Sequence, residues 1–155
     1  MRFMASLFTA WMWAATAGRC ANAARERPQN RPGGILHGWL IAKRITEIPG
    51  SSEVLECGIV SYSNRIKEEV LGVSPATIET YGVISAETAA EMAAGALRIS
   101  GAEIGLGVTG LAGPDGDDHG NPAGLAFIAL TDGAHTLQRT VHTGRGEIIG
   151  NITGL

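Results

Sequence analysis

The chain has 155 residues, which suits one domain around one core, with 45% hydrophobic and 17% charged residues. That balance excludes a disordered polymer, and the net charge of -3 without a basic, aromatic-interleaved stripe excludes a direct nucleic-acid binder. Two cysteines, Cys20 and Cys57, without a CxxC or metal-ligand spacing give no disulfide framework and point to a reducing cytoplasm. The 22 glycines favour an α/β protein with many tight strand–helix turns.

The average conceals an asymmetry. Residues 1–44 hold seven of the twelve basic residues (Arg2, Arg19, Arg25, Arg27, Arg31, Lys43, Arg44), one of the fifteen acids (Glu26) and all three tryptophans. The remainder is acidic and has no tryptophan, so the two parts read as products of different origins.

Residues 1–18 carry the outward pattern of a signal peptide: Arg2, the apolar run Phe3–Ala15 and the small-residue pattern Ala15-Thr16-Ala17. The run is short for a bilayer span, and chance hydrophobicity is the alternative reading. Residues 19–34 have no apolar period and read as linker or disorder. Leu40–Glu47 reads as the end of a helix stopped by Pro49-Gly50, and Val54–Ser61 as a β-type run. Asn64 is placed to cap a short helix over Arg65–Leu71. Ser74-Pro75 supplies a cap and an N1 proline for a second, and Ser85 caps a third over Ala86–Ile99, closed by Gly101. Ile104–Val108 is an apolar strand leading into a glycine-rich loop, Gly110–Gly120. Gly124–Thr131 is a buried-type strand and Thr136–His142 an edge-like one. Strands alternating with helices predict an α/β fold, specifically a three-layer α/β/α domain with a mixed sheet and a disordered or poorly packed N-terminal segment.

Several segments stand out together and in order: Leu40-Ile-Ala-Lys-Arg-Ile-Thr-Glu47, Ile48-Pro-Gly-Ser-Ser52, Ser61-Tyr-Ser-Asn-Arg-Ile-Lys67, Leu71-Gly-Val-Ser-Pro75, Val108-Thr-Gly-Leu-Ala-Gly-Pro-Asp-Gly116 and Pro122-Ala-Gly-Leu-Ala126. From about Leu40 to His142 the chain resembles the CinA C-terminal domain, a family that includes stand-alone nicotinamide-nucleotide amidohydrolases. The resemblance implies a deamidase converting nicotinamide mononucleotide to nicotinate mononucleotide and ammonia in pyridine-nucleotide salvage. It implies a serine nucleophile within an Ala-Glu-Ser-Cys-Thr-Gly-Gly segment, assisted by a tyrosine and a lysine that match Tyr62 and Lys67.

The chemistry of that pair is coherent. A serine hydroxyl needs a base, and lysine serves when burial or positive potential favours its neutral form. In the first turn of a helix capped by Asn64, the dipole would lower the Lys67 pKa, and Tyr62 at a strand end would orient the base or relay a proton. The bland alternative is a solvated lysine and a packing aromatic. In the glycine-rich loop the resemblance assigns substrate and phosphate binding to Thr109, Gly110 and Gly113, where backbone N–H groups can approach an anion; a tight turn is the alternative. Asp115, Asp117, Asp118 and His119 are close in sequence without a ligand geometry and read as a solvated acidic loop, so no metal and no cofactor is expected. Ser51, Ser61 and Ser63 read as turn and strand residues, and His37, His135 and His142 carry no partner motif. The expected partners are a small-molecule nucleotide and further copies of the chain, with neither nucleic acid nor membrane.

Where the resemblance calls for Ala-Glu-Ser-Cys-Thr-Gly-Gly the chain has Gly33-Gly-Ile-Leu-His-Gly-Trp39, with Ile35 at the serine position. Ile35 has neither a nucleophile nor a donor. Allowed codons for Gly33–Trp39, GGC GGA ATC CTG CAC GGG TGG, read from their second base give GCG GAA TCC TGC ACG GGT GG. With one base restored before Leu40 this encodes the expected seven residues, and Arg31-Pro32 can encode Ala-Leu in the same frame. The expectation is that residues 1–39 are out-of-frame, that residues 40–155 form the amidohydrolase-like domain without its final helix, and that the chain as written is inactive or impaired. Two further roles stay open: a non-catalytic nucleotide-binding remnant, and a competence-related interaction protein.

Overall fold

The computed structural model describes residues 36–111 and 115–142. The expectations for the N-terminal segment, for Gly113 and for a closing helix beyond His142 lie outside these residues. In chain order the elements are α1 (Leu36–Thr46), a 3-10 turn (Ser51–Glu53), α2 (Asn64–Glu69), α3 (Pro75–Tyr81), α4 (Ala86–Ser100), β1 (Gly105–Gly110), β2 (Leu125–Thr131) and β3 (Thr136–His142).

The helix boundaries follow local chemistry. The Ser85 hydroxyl accepts the Thr88 N–H at the start of α4, and Gly101, in the left-handed region at φ 66, ends it by donating its N–H to the Leu97 carbonyl. Pro75 opens α3, but the preceding Ser74 makes no side-chain cap bond. Instead the Glu91 carboxylate of α4 accepts the Ser74 N–H and the Thr77 hydroxyl, each at 2.6 Å, so one helix caps its neighbour. For α2 the cap is Ser63, whose hydroxyl accepts the Ile66 N–H, and Asn64 is the first helical residue; this corrects the expected cap by one position.

The strands form an antiparallel sheet in the order β1-β2-β3. Register pairs Gly107 with Ala129 and Val108 with Ile128, then Ala129 with Gln138. Side chains alternate across the sheet, so β1 divides cleanly. Gly105, Gly107 and Thr109 face α4, where Ala89 and Ala93 pack with Ala129 and Phe127. Leu106 and Val108 face the other way, against Ile41 and Ile45 of α1 and Leu55. A third cluster, Leu71, Val73 and Met92, seats the α2–α3 connection on α4. Helices on both faces of one sheet make the α/β/α layering.

Two expectations are corrected. Among the described residues the sheet is antiparallel throughout rather than mixed. The run Val54–Ser61 alternates as a strand does, with Leu55 buried and Val54 and Val60 exposed, yet among the described residues it joins no ladder. Alternation reports which side chains turn inward; a strand also requires a backbone partner in register, which the run itself does not encode. β3 is the edge strand that its sequence predicts.

Candidate functional site

Lys67 is the buried charged residue that the fold builds with most care. The α2 helix is anchored by its Ser63 cap, and the Val73 N–H donates to the Lys67 carbonyl, fixing the backbone on both sides. The side chain is only 6% exposed, and its Nζ donates to the Ser61 carbonyl at 2.9 Å. Burial holds the ammonium below its usual pKa of 10.5, because a charge loses its hydration there. The helix dipole invoked from sequence is not the cause: α2 is six residues long and Lys67 lies in its last turn, where a dipole would favour the cation.

The residues around Lys67 are hydroxyl-rich. The Ser61 hydroxyl is buried and has no hydrogen-bond partner among the described residues. A buried orphan of this kind is uncommon and gathers near functional groups. Ser63 is committed as a helix cap and Ser51 lies in the 3-10 turn. Tyr62 points outward, 72% exposed, from a connection rather than from a strand end.

The second half of the candidate site is the loop after β1. Thr109 is 5% exposed, and its hydroxyl donates to the Val83 carbonyl at 2.8 Å. Its oxygen can still accept a bond, but its proton is spent on the fold. Gly110 pairs with Ala126, and a side-chain carbon there would stand 2.8 Å from the Ala126 methyl group. The ladder continues past the strand, with Leu111 donating to the Leu125 carbonyl and Gly124 to the Leu111 carbonyl.

The acidic stretch is more organised than a solvated loop. The Asp117 carboxylate accepts the N–H groups of His119 and Asn121 and the Asn121 amide nitrogen. Desolvation pushes its pKa up, but those donors outweigh it and leave the group below the ordinary 3.8. The signal was present in sequence: an aspartate followed at short range by backbone and amide donors is the pattern of an Asx-type turn. Among the described residues no group of acidic, histidine or cysteine side chains is arranged to hold a metal ion.

Fold and site together define an α/β/α domain with a buried amine on a short capped helix and a pinned glycine-rich loop beyond a strand end. The CinA C-terminal domain family matches residues 36–151, and the chain belongs to that family. A putative competence-damage inducible protein of Acetivibrio thermocellus is 48% identical over 119 residues, 76% of this chain and 29% of that protein. A CinA-like protein of Geotalea uraniireducens is 45% identical over 113 residues, 72% of this chain and 27% of that protein. The chain therefore spans less than a third of the length of these relatives. Among solved structures, the competence/damage inducible protein CihA of Agrobacterium tumefaciens superposes with a TM-score of 0.67 at 40% identity, covering 72% of this chain and 68% of that one. A CinA superfamily protein of Enterobacter cloacae gives 0.66 at 30% identity, covering 69% of this chain and 63% of that one. No helix among the described residues is long and apolar enough to cross a membrane.

Proposed function

We propose that this domain is a nicotinamide-nucleotide amidase whose nucleophile segment has been replaced at residues 33–39. The observation that carries the reading is Lys67: a buried lysine with a depressed pKa, in the position that matches the lysine of the family's tyrosine–lysine motif. A neutral lysine amine has a lone pair and two N–H bonds. One N–H holds the Ser61 carbonyl, and the lone pair is free to take the proton of an attacking hydroxyl. In the amidase reaction the serine oxygen adds to the amide carbonyl of nicotinamide mononucleotide as Lys67 takes its proton. Lys67 returns that proton to the departing nitrogen, ammonia leaves, and water hydrolyses the acyl group. Nicotinate mononucleotide is released and the serine restored.

In this chain Ile35 stands where that serine is required. The shifted-frame translation of Gly33–Trp39 supplies the missing segment, so we take residues 1–39 to be out-of-frame and the chain as written to be impaired. The deciding experiment compares ammonia release from nicotinamide mononucleotide by the chain as written and by a version with Ala-Glu-Ser-Cys-Thr-Gly-Gly at 33–39. Turnover by the restored version alone supports the reading. Turnover by the chain as written shows that Ile35 is irrelevant and the nucleophile lies elsewhere; turnover by neither removes the amidase assignment.

The names of the relatives, competence-damage inducible proteins, favour a second reading, a competence-related interaction protein without turnover. Capture of a specific protein partner without nucleotide binding would favour it. A cytoplasmic location, a small-molecule partner and self-association through the exposed edge strand β3 complete the proposal.

A further inference from the structure

The contact between Lys67 and Ser61 leaves hydrogen-bonding capacity unfilled on both residues. Lys67 Nζ donates to the Ser61 carbonyl at 2.9 Å, and the hydroxyl of that same serine is buried without a partner among the described residues. Once protonated, the lysine amine has three N–H donors, and the carbonyl takes one of them. Among the described residues no carboxylate lies within ion-pair distance of Lys67. Glu68, its neighbour in sequence, is beyond that reach, and Glu69 is paired with Arg65 on the exposed side of α2. From α4, Arg98 donates to the Leu71 carbonyl at 3.0 Å, and the Glu91 carboxylate is taken by Ser74 and Thr77. Burial is accordingly the cause of the lowered Lys67 pKa, with no charged neighbour among the described residues contributing. A buried ammonium with open donors and no counter-charge is unfavourable, and its complement is an anion with more than one acceptor oxygen.

We infer that Lys67 and the Ser61 hydroxyl form a carboxylate-binding pair, by which the domain holds the acid product more tightly than the amide substrate. The inference rests on the amidase reading of the preceding subsection and adds product retention to it. In that reading the acyl carbon already reaches Lys67, so the acid forms where the pair stands. Water adds to the acyl carbon, the bond from that carbon to the serine oxygen breaks, and the serine oxygen regains a proton. The carboxylic acid so formed then hands its own proton to the neutral Lys67 amine, leaving a carboxylate beside an ammonium. A carboxylic acid is far more acidic than a lysine ammonium, whereas an amide has no comparably acidic proton to give. Only the acid therefore charges the lysine, and its oxygens accept from Lys67 and from Ser61 the donors that the fold leaves open.

The test is calorimetric titration of the full chain with nicotinate mononucleotide and with nicotinamide mononucleotide, two ligands that differ only in the acid or amide group. The acid is expected to bind about tenfold more tightly, as roughly one hydrogen bond between charged groups implies. Lys67→Met is expected to remove that preference, and Ser61→Ala, which keeps the carbonyl and deletes the hydroxyl, to reduce it about threefold. Arg65→Gln, which removes an exposed charge from the same helix, is the control and is expected to keep it. Equal affinities in the unmutated chain, tighter binding of the amide, or a preference that persists in Lys67→Met overturns the carboxylate pair and leaves the amidase reading in place. If Lys67→Met does not fold, Ser61→Ala decides, and an unchanged preference there overturns the pair. If the unmutated chain binds neither ligand, the pair and the nucleotide reading fall together. An acid preference lost in Lys67→Met, with no ammonia released by the version carrying the restored segment, removes the amidase reading and upholds the pair.

Discussion

A methyl group on Gly107 would stand 2.1 Å from the carbonyl oxygen of Ala89 and 2.6 Å from the backbone nitrogen of Ala93. Helix α4 and strand β1 therefore touch backbone to backbone, with no side chain between them at this point. Neither neighbouring atom belongs to a flexible group that can swing aside. Gly107→Ala must push α4 off the sheet, and overpacking of this kind costs about 1–3 kcal/mol. Urea unfolding is expected to show a lower midpoint for Gly107→Ala than for Ala94→Gly, a change on the exposed side of the same helix. Equal midpoints would mean that the added methyl costs no more than the roughly 1 kcal/mol of a glycine in an exposed helix interior, too little for a forced separation of helix and sheet.

Thr109 tests the hydrogen bond to the Val83 carbonyl. Thr109→Val keeps the shape of the side chain and deletes the hydrogen bond to Val83, leaving a part-buried carbonyl without that donor. The expected loss is about 1–3 kcal/mol, and Thr109→Ser is expected to recover most of it. Thermal unfolding of the two variants checks this. A Thr109→Val chain as stable as the original would show that water replaces the hydroxyl.

For Lys67 the sign of the pH effect can be worked out. Its folded-state pKa lies below the unfolded value of 10.5, so in the interval between them the unfolded chain binds more protons. Stability therefore rises with pH across that interval, and the cost of burying the charge is fully present below it. Lys67→Met removes the titration. The stability of the original chain relative to Lys67→Met is expected to increase as pH climbs toward 10.5, measured by urea unfolding at a series of pH values. A pH-independent difference would show that the buried amine keeps its ordinary pKa.

Glu91 joins two helices through one carboxylate. Glu91→Gln leaves an amide whose oxygen can serve only part of the pair formed by the Ser74 N–H and the Thr77 hydroxyl. Hydrogen bonds to a charged acceptor contribute about 1.5–3 kcal/mol, so the start of α3 is expected to fray. Faster hydrogen exchange at Thr77 and Ile78, with α4 unaffected, is the outcome to look for; uniform change along both helices would contradict it.

The elements legible in the sequence are those whose signals are local. Ser85 and Gly101 bracket α4 within a residue of the expected span, and the buried-type run of β2 and the alternating run of β3 fall where the strands form. The family was legible as well, because its motifs are short contiguous strings such as Ser61–Lys67. What escaped depends on partners distant in the chain. Val54–Ser61 has the pattern of a strand, but no ladder partner is written into it. The pKa of Lys67 is depressed by burial, which a helix position does not report. Asn121 hides best of all, since its partner Ile84 is 37 positions away.

The order of α4, β1, β2 and β3 along the chain is also their order of contact in space: α4 lies on β1 and β2, β1 pairs with β2, and β2 with β3. Pairings between neighbours require only short loop closures, and such topologies reach their transition state quickly because little chain entropy is lost before contacts form. These pairings all lie downstream of residues 33–39. A change confined to residues 33–39 therefore leaves these short-range pairings untouched.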